Sequence, residues 1–283
     1  MSGVPVIRTM GEADLAFADS LRALVGWNQT PADWRRLLTL EPEGCFVAEW
    51  EGQPSGTATT TRHGDGLAWI GMVLVHPERR RHGLGRALLR RCIEHLDAVG
   101  CRCIKLDATP EGRPLYESLG FHDEWPLARW EGVAGAGGAA LPWVRPYRPG
   151  DRAACLAADV EAFGVSRERL LDGLLAAGTV LVAEEEGHLV GYGILRPGSR
   201  ATYMGALVAG FPAAGKGIAR ALLDGVAGQT VFWDIPEAAG EAVALAGELG
   251  FRRQRLLTRM FRGRNDQPGI PARQFAIADP ATG

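Results

Sequence analysis

A chain of 283 residues is long enough for about two domains of ordinary size, each able to bury a core of its own. Its 31 basic and 33 acidic residues leave a formal charge of −2, which excludes a general attraction to nucleic acid or to an anionic membrane. No apolar run reaches the ~18 residues of a membrane span, and Met1-Ser-Gly-Val-Pro-Val-Ile7 lacks the blocks of a signal peptide, so a soluble, cytoplasmic protein is expected.

Val6-Ile7-Arg8 reads as a short strand, followed from Gly11 by a helix with apolar positions Leu15, Phe17, Leu21 and Leu24. Thr30-Pro31 opens a second helix, with Thr30 as N-cap and Pro31 at the first helical position. Between the two helices lies Gly26-Trp27-Asn28-Gln29. Cys45–Trp50 and Gly56–Thr61, joined through Glu51-Gly52, alternate and carry β-branched residues, as a hairpin does. His63-Gly64-Asp65-Gly66 turns the chain into an apolar strand, Trp69 to Val75. A basic turn follows, and a helix runs from Gly83 to about Val99. Arg102–Asp107 is the next strand and Glu111–Leu119 the next helix, which Gly120 stops before Phe121 returns to the sheet.

The turn between strand and helix concentrates the chemistry. Gly83 and Gly85 let the backbone approach a ligand without Cβ interference, and the first N–H groups of a helix have no internal acceptor. The helix dipole favours an anion there, and Arg79, Arg80, Arg81 and Arg86 surround it with fixed positive charge. The same residues also suit a plain strand-to-helix connection. A Walker loop is excluded because Gly215-Lys216-Gly217 lacks the following hydroxyl residue, and no G-x-G-x-x-G opens a helix with an acidic residue about 20 positions on.

Beyond Gly132–Ala140, a run of small uncharged residues expected to be a flexible linker, the chain repeats itself. Val47-Ala48-Glu49 recurs at Val182-Ala183-Glu184, Gly83-Leu-Gly-Arg-Ala-Leu-Leu89 at Gly217-Ile-Ala-Arg-Ala-Leu-Leu223, and Leu119-Gly-Phe121 at Leu249-Gly-Phe251. Near-constant offsets of 135, 134 and 130 residues mean two copies of one fold. The second copy has Ala214 in place of Arg80 and Ala246 in place of Tyr116, although Gly215-Lys216-Gly217 retains room for a phosphate. The segment Arg273–Ile277 is expected to fold back as an irregular strand.

Arg80-x-x-Gly83-x-Gly85 after a buried strand, with Leu115-Tyr116-Glu-Ser-Leu119-Gly120-Phe121 at the right distance, resembles the GNAT acetyltransferases over residues 4 to about 131. The whole pattern resembles a bacterial tandem-GNAT group. The resemblance implies an α/β (α+β) protein of two tandem folds, each a mixed, mostly antiparallel twisted sheet flanked by helices. The expected domains are 1–131, binding acetyl-CoA and catalytic, and 141–283, degenerate, joined by 132–140.

The resemblance also implies a reaction: transfer of an acetyl group from acetyl-CoA, as co-substrate, to a primary amine of a small molecule or peptide by direct attack in a ternary complex. Met72, Val73, Leu74 and Val75 would pair with the pantetheine arm, and Arg80, Arg81, His82, Gly83, Leu84, Gly85 and Arg86 would hold the pyrophosphate. Tyr116 matches the position of the general acid, and a phenol is protonated at neutral pH; it equally suits a core aromatic.

Trp69–Val75 contains no titratable group, a departure from the carboxylate base that family members keep on this strand. Asp107 is the substitute, with Asp65 and His63 also within reach; Asp107 equally suits capping of the following turn, and the amine equally suits binding already neutral. The resemblance also implies that the loop between the first two helices flanks the acceptor site, which makes Trp27 and Asn28 candidate substrate contacts, or else a helix-end Trp on the core beside a turn residue. No metal is expected, since Cys45, Cys92, Cys101, Cys103 and Cys155 have no metal-ligand spacing. No nucleic-acid or membrane partner is expected, and the oligomeric state stays open between monomer and homodimer. A non-catalytic acyl-CoA sensor or interaction module is the alternative function.

Overall fold

The computed structural model describes residues 4–135 and 141–283. The first half runs β1 (Val6–Thr9), α1 (Leu15–Leu24), α2 (Pro31–Leu40), β2 (Cys45–Trp50), β3 (Gln53–His63), β4 (Leu67–Val75), α3 (Leu84–Ala98), β5 (Cys103–Ala108), α4 (Arg113–Glu117) and β6 (His122–Val133). The second runs β7 (Val144–Pro146), α5 (Arg152–Phe163), α6 (Glu168–Ala177), β8 (Thr179–Glu185), β9 (His188–Arg196), β10 (Thr202–Ala209), α7 (Pro212–Asp224), β11 (Thr230–Pro236), α8 (Gly240–Glu248), β12 (Arg252–Gly263) and β13 (Gln274–Ala276).

Local chemistry accounts for the elements. Thr30 caps α2 by accepting from the Asp33 N–H while Asp33 accepts from the Thr30 N–H at 2.8 Å, with Pro31 at the first helical position. Helix α3 buries Leu84, Leu88, Leu89, Cys92, Ile93 and Leu96, a stripe of helical period, against Phe46, Ala58, Ala68 and Ile104 of the sheet. The expected helix 111–119 contracts to α4 with turns on either side.

The sheet joins both halves in the order β1-β2-β3-β4-β5-β12-β6-β11-β10-β9-β8-β7. The halves have exchanged their long strands. β12, from the second half, pairs antiparallel with β5, placing Arg259 opposite Asp107, and β6, from the first, pairs antiparallel with β11, placing Trp130 opposite Trp233. β12 and β6 pair with each other between these two contacts. Gly132 and Val133, expected as linker, end β6, and the Ala134 N–H donates to the Gln229 carbonyl, so ordered backbone extends beyond the expected boundary at 131. Residues 136–140 of that expected linker lie outside the described residues. Among the described residues no helix is long and apolar enough to cross a membrane.

In each half two neighbouring parallel strands begin paired and then diverge. β4 and β5 pair only over Leu67–Trp69 and Cys103–Lys105, and β10 and β11 only over Thr202–Met204 and Val231–Trp233. A register shift between β3 and β4 and a φ of +49° at Met72 turn β4 away from β5, and the Thr57 hydroxyl secures the bend by donating to the Met72 carbonyl at 2.9 Å.

The two openings differ in what fills them. In the second half β13 lies in the gap: Leu207 pairs with Ala276, the Ile277 N–H donates to the Asp234 carbonyl at 3.1 Å, and the Trp233 indole donates to the Phe275 carbonyl at 2.7 Å. The expected fold-back of 273–277 is therefore an inserted strand. Its continuation crosses to the first half, where the Trp69 indole donates to the Pro280 carbonyl and the His63 Nε2 to the Thr282 carbonyl.

Candidate active site

The first half's opening is a cleft of about 690 Å³. One wall is Ile70 to Val75 of β4; the other is Leu106 and Asp107 of β5 with Thr109, Gly112, Leu115 and Tyr116 beyond it. Arg80 and Gly85 stand at one end, and Val25, Trp27 and Gln29 contribute from the loop after α1. The second half supplies Arg255 and Leu257 of β12 and Pro280 and Ala281 of the tail, while Arg129 of β6 completes the lining. A Cβ on Gly71 would sit 2.3 Å from the Ala281 carbonyl oxygen, so only glycine allows the tail to lie against β4 here.

The loop entering α3 has the backbone of an anion cradle. Arg81 (φ +68°) and Gly83 (φ +78°) are both left-handed and exposed, and the first helical bond is from the Ala87 N–H to the Gly83 carbonyl. The N–H groups of Leu84, Gly85 and Arg86 are thus the unpaired donors of a helix start. Arg80, Arg81 and Arg86 make no ion pair among the described residues, leaving their charge available. Leu84 points into the core, and the His82 ring stacks on Trp50 with centroids 4.6 Å apart.

The corresponding stretch of the second half has lost this geometry. α7 begins at Pro212, so Gly215 and Gly217 are interior helix residues and both are buried. A Cβ on Gly215 would meet the Phe275 ring at 2.5 Å and one on Gly217 would meet Leu141 at 2.7 Å. Lys216 is paired with Glu241 at 2.5 Å. The room for a phosphate expected at 215–217 is absent, because a helix occupies the loop's place and β13 the cleft's.

Tyr116 stands half-buried in the cleft, its ring edge-on to Phe121 at 6.1 Å and its hydroxyl without a partner among the described residues. Burial pushes the phenol up to about 12, keeping it protonated through the neutral range.

Asp107 reaches the cleft but is not free. Its two oxygens accept from Nε and Nη2 of Arg259 at 2.9 and 3.0 Å, and the side chains are 0% and 2% exposed. Burial pushes the carboxyl above its ordinary range, and the Arg259 guanidinium offsets that only in part. The Arg259 guanidinium is sandwiched between Trp69 and Trp125 at 4.4 and 4.1 Å. With both oxygens held by Arg259 and the side chain 0% exposed, Asp107 is closed off from a substrate proton, which opposes its expected use as base.

The other expected residues separate. Trp27 lines the cleft. Asn28 does not: its amide donates to the Ala201 carbonyl at 3.0 Å and its oxygen accepts from the N–H groups of Arg200 and Ala201 at 2.9 and 3.0 Å, a staple between halves rather than a substrate contact. Asp65 belongs to a different crevice. His63 is buried beneath the tail and held down to about 4 by desolvation and then by Arg167, so neither replaces the missing base.

Residues that the sequence reading did not single out include Gln29, whose Oε1 is buried without a partner, and the β12 and tail residues, which reach the cleft only through the strand exchange. All five cysteines are free, and among the described residues no group of three or more His, Cys, Asp or Glu is placed to hold a metal.

Two family models match the chain: the acetyltransferase (GNAT) family over residues 16–121 and an acetyltransferase (GNAT) domain over residues 155–276. An uncharacterized N-acetyltransferase of Bacillus subtilis, YitH, is 34% identical over 137 residues, 45% of this chain and 46% of that protein. A mycothiol acetyltransferase of Sanguibacter keddieii is 32% identical over 184 residues, 56% and 58% of the two chains. The matches thus span about half the length of these curated relatives. A crystal structure from Pyrococcus horikoshii superimposes with a TM-score of 0.84 at 24% identity, covering 99% of this chain and 96% of that one, a likeness of fold.

Proposed function

We propose, from the premise that this chain belongs to the GNAT acetyltransferase family and carries two such domains in tandem, that its first half moves an acetyl group from acetyl-CoA to a primary amine. The observation that carries this reading is the contrast between the two openings: the β4–β5 gap is an open cleft beside an exposed, arginine-ringed helix start, while the β10–β11 gap is filled by β13.

Acetyl-CoA supplies an acetyl group already activated as a thioester. The residues fit its two ends. The N–H groups from Arg81 to Arg86 and the side chains of Arg80, Arg81 and Arg86 suit a pyrophosphate. The backbone of Met72 to Val75, released from β5, offers strand-like hydrogen bonds to an extended amide arm and to the oxyanion that develops at the thioester carbonyl.

The amine nitrogen forms the new C–N bond as the C–S bond breaks. The Tyr116 hydroxyl gives its proton to the departing thiolate and is reprotonated, through solvent, by the proton the nitrogen releases. No base is assigned. Asp107 is held by Arg259 and Glu111 is exposed at the rim, so the acceptor enters as the neutral amine.

The absence, among the described residues, of a free carboxylate deep in the cleft is what favours the rival reading, a non-catalytic acyl-CoA sensor; the unpartnered Tyr116 hydroxyl favours catalysis. Isothermal titration with acetyl-CoA of the wild type and of an Arg80→Glu, Gly83→Glu variant tests the cofactor assignment. One-site micromolar binding that the variant loses is expected; no binding, or binding the variant retains, refutes it.

A further inference from the structure

Three guanidiniums and two carboxylates line the stretch of sheet from β5 through β12 and β6 to β11. Asp107 pairs with Arg259, and Asp234 pairs with Arg129 at 2.6 and 2.9 Å. Arg255 is left over. It sits opposite Arg129 in the β12–β6 register, lines the cleft, and makes no hydrogen bond or ion pair among the described residues; its Nε is sealed from solvent without an acceptor.

Neither nearby carboxylate makes a hydrogen bond or ion pair with it, each being oriented onto another guanidinium. The Tyr203 hydroxyl donates to Asp234 at 2.8 Å in addition to Arg129, and both Asp107 oxygens already accept from Arg259. A half-buried cation with an unpaired donor beside another guanidinium is costly unless an anion arrives to meet it. The cleft is the open side from which one can come.

A second orphan lines the same cleft. Gln29 is 7% exposed and its Nε2 donates to Asp279 at 3.0 Å, which fixes the amide orientation and leaves Oε1 buried with nothing to accept from. Asp279 is itself paired with Arg196 at 2.7 Å and acts only as an acceptor, so the amide cannot be reversed. Both orphaned atoms are sealed from solvent, so what the cleft itself presents is the half-buried, unpaired Arg255 side chain, with the Gln29 amide behind its wall.

We infer that the acceptor amine carries an oxyanion, a carboxylate or a phosphate, which Arg255 binds. The inference rests on the acetyl-transfer reading and adds the acceptor's class to it. It also gives the second half a positive role, because Arg255 travels on the exchanged strand and the degenerate domain thereby supplies acceptor recognition to the half that binds the thioester.

The test measures thiol release from acetyl-CoA with matched acceptors, ethanolamine against phosphoethanolamine and propylamine against β-alanine, beside acetyl-CoA titrations of each protein. Wild type is expected to favour one anionic partner over its neutral match by about 10- to 100-fold in kcat/KM, and the pair that shows it distinguishes phosphate from carboxylate. Arg255→Gln should collapse that ratio towards one, and Arg255→Lys should retain part of it.

Equal rates for neutral and anionic acceptors, an unchanged ratio in Arg255→Gln, or no turnover of any anionic acceptor by protein that binds acetyl-CoA overturns the inference. Failure to bind acetyl-CoA instead removes the acetyl-transfer reading beneath it. The titration and thermal melt of each variant report whether a collapsed ratio reflects lost recognition or lost fold.

Discussion

Replacing Arg259 with methionine should separate the structural from the catalytic account of Asp107. The substitution leaves a carboxylate with 0% exposed side chain facing no cation, at the junction where the second half's strand enters the first half's sheet. Breaking one side of such a pair costs about 3–5 kcal/mol, which for a chain of this size is a fall of roughly 6–12 °C in melting temperature. Stacking of the guanidinium between Trp69 and Trp125 adds to the loss, and methionine recovers part of it. The sign of the pH dependence follows from the stranded carboxyl, whose pKa rises above its unfolded value of about 3.9. The folded state then binds the extra proton, so the deficit is larger at pH 8 than at pH 5.

Asp107→Leu leaves Arg259 its two indoles, and the double variant Asp107→Leu, Arg259→Met replaces the pair by apolar groups, expected to lie within about 1–2 kcal/mol of wild type. Thermal melts of the four proteins at pH 8 give the coupling energy. Single effects that add to the double within about 0.5 kcal/mol would refute the ion pair as the tie between the halves. Loss of acetyl transfer in a stably folded double variant would restore Asp107 to the chemistry.

Other outcomes follow from the same geometry. Tyr116→Phe should lower kcat by about 10²-fold with acetyl-CoA affinity retained, and equal turnover would exclude the phenol as acid. With no enzymic base, wild-type kcat/KM should climb with pH towards the acceptor's own pKa; a plateau near neutrality that ignores the acceptor's pKa would reveal a base. Gly71→Ala should lower the melting temperature by about 2–6 °C, because its Cβ falls 2.3 Å from the Ala281 carbonyl oxygen, and an unshifted melt would show that the tail yields freely.

His63, held at about 4 against an ordinary 6.5, is neutral in the fold, so the unfolded chain takes up the proton first as pH falls. Stability should therefore drop by about 3 kcal/mol between pH 6.5 and 4. Denaturant titrations of His63→Gln should flatten that window, and a drop of the same size in the variant would assign it to other groups.

What the sequence made legible was what neighbouring residues determine. The Thr30-Pro31 helix start, the Arg80-x-x-Gly83-x-Gly85 loop and the Leu115–Phe121 run each act within a few residues of backbone, so the loop geometry, the α4 segment and the repeat can be read without knowing the fold. Partners distant in the chain could not be read. Asp107 looks free from its neighbours because Arg259 lies 152 positions away, and Asn28 looks like a substrate contact because the backbone it staples lies 172 and 173 positions away. Gly215-Lys216-Gly217 resembles a loop in composition, but whether it is one depends on where α7 starts and on Phe275 packing against it. Arg255 escaped notice for the same reason: strand exchange has no local signature, and only the exchange brings β12 to the first half's cleft.

The exchange also governs the order in which this protein can be completed. During synthesis the first half emerges with β5 as an unpaired edge and β6 without its partner strands, and neither is satisfied until residues 230–263 have followed. Closing those ladders requires contacts between residues about 100 to 160 positions apart, so final assembly should be slow and follow the local helices. Throughout that interval the open β5 edge accepts β12 from any copy of the chain, and at high concentration an intermolecular exchange competes with the intramolecular one.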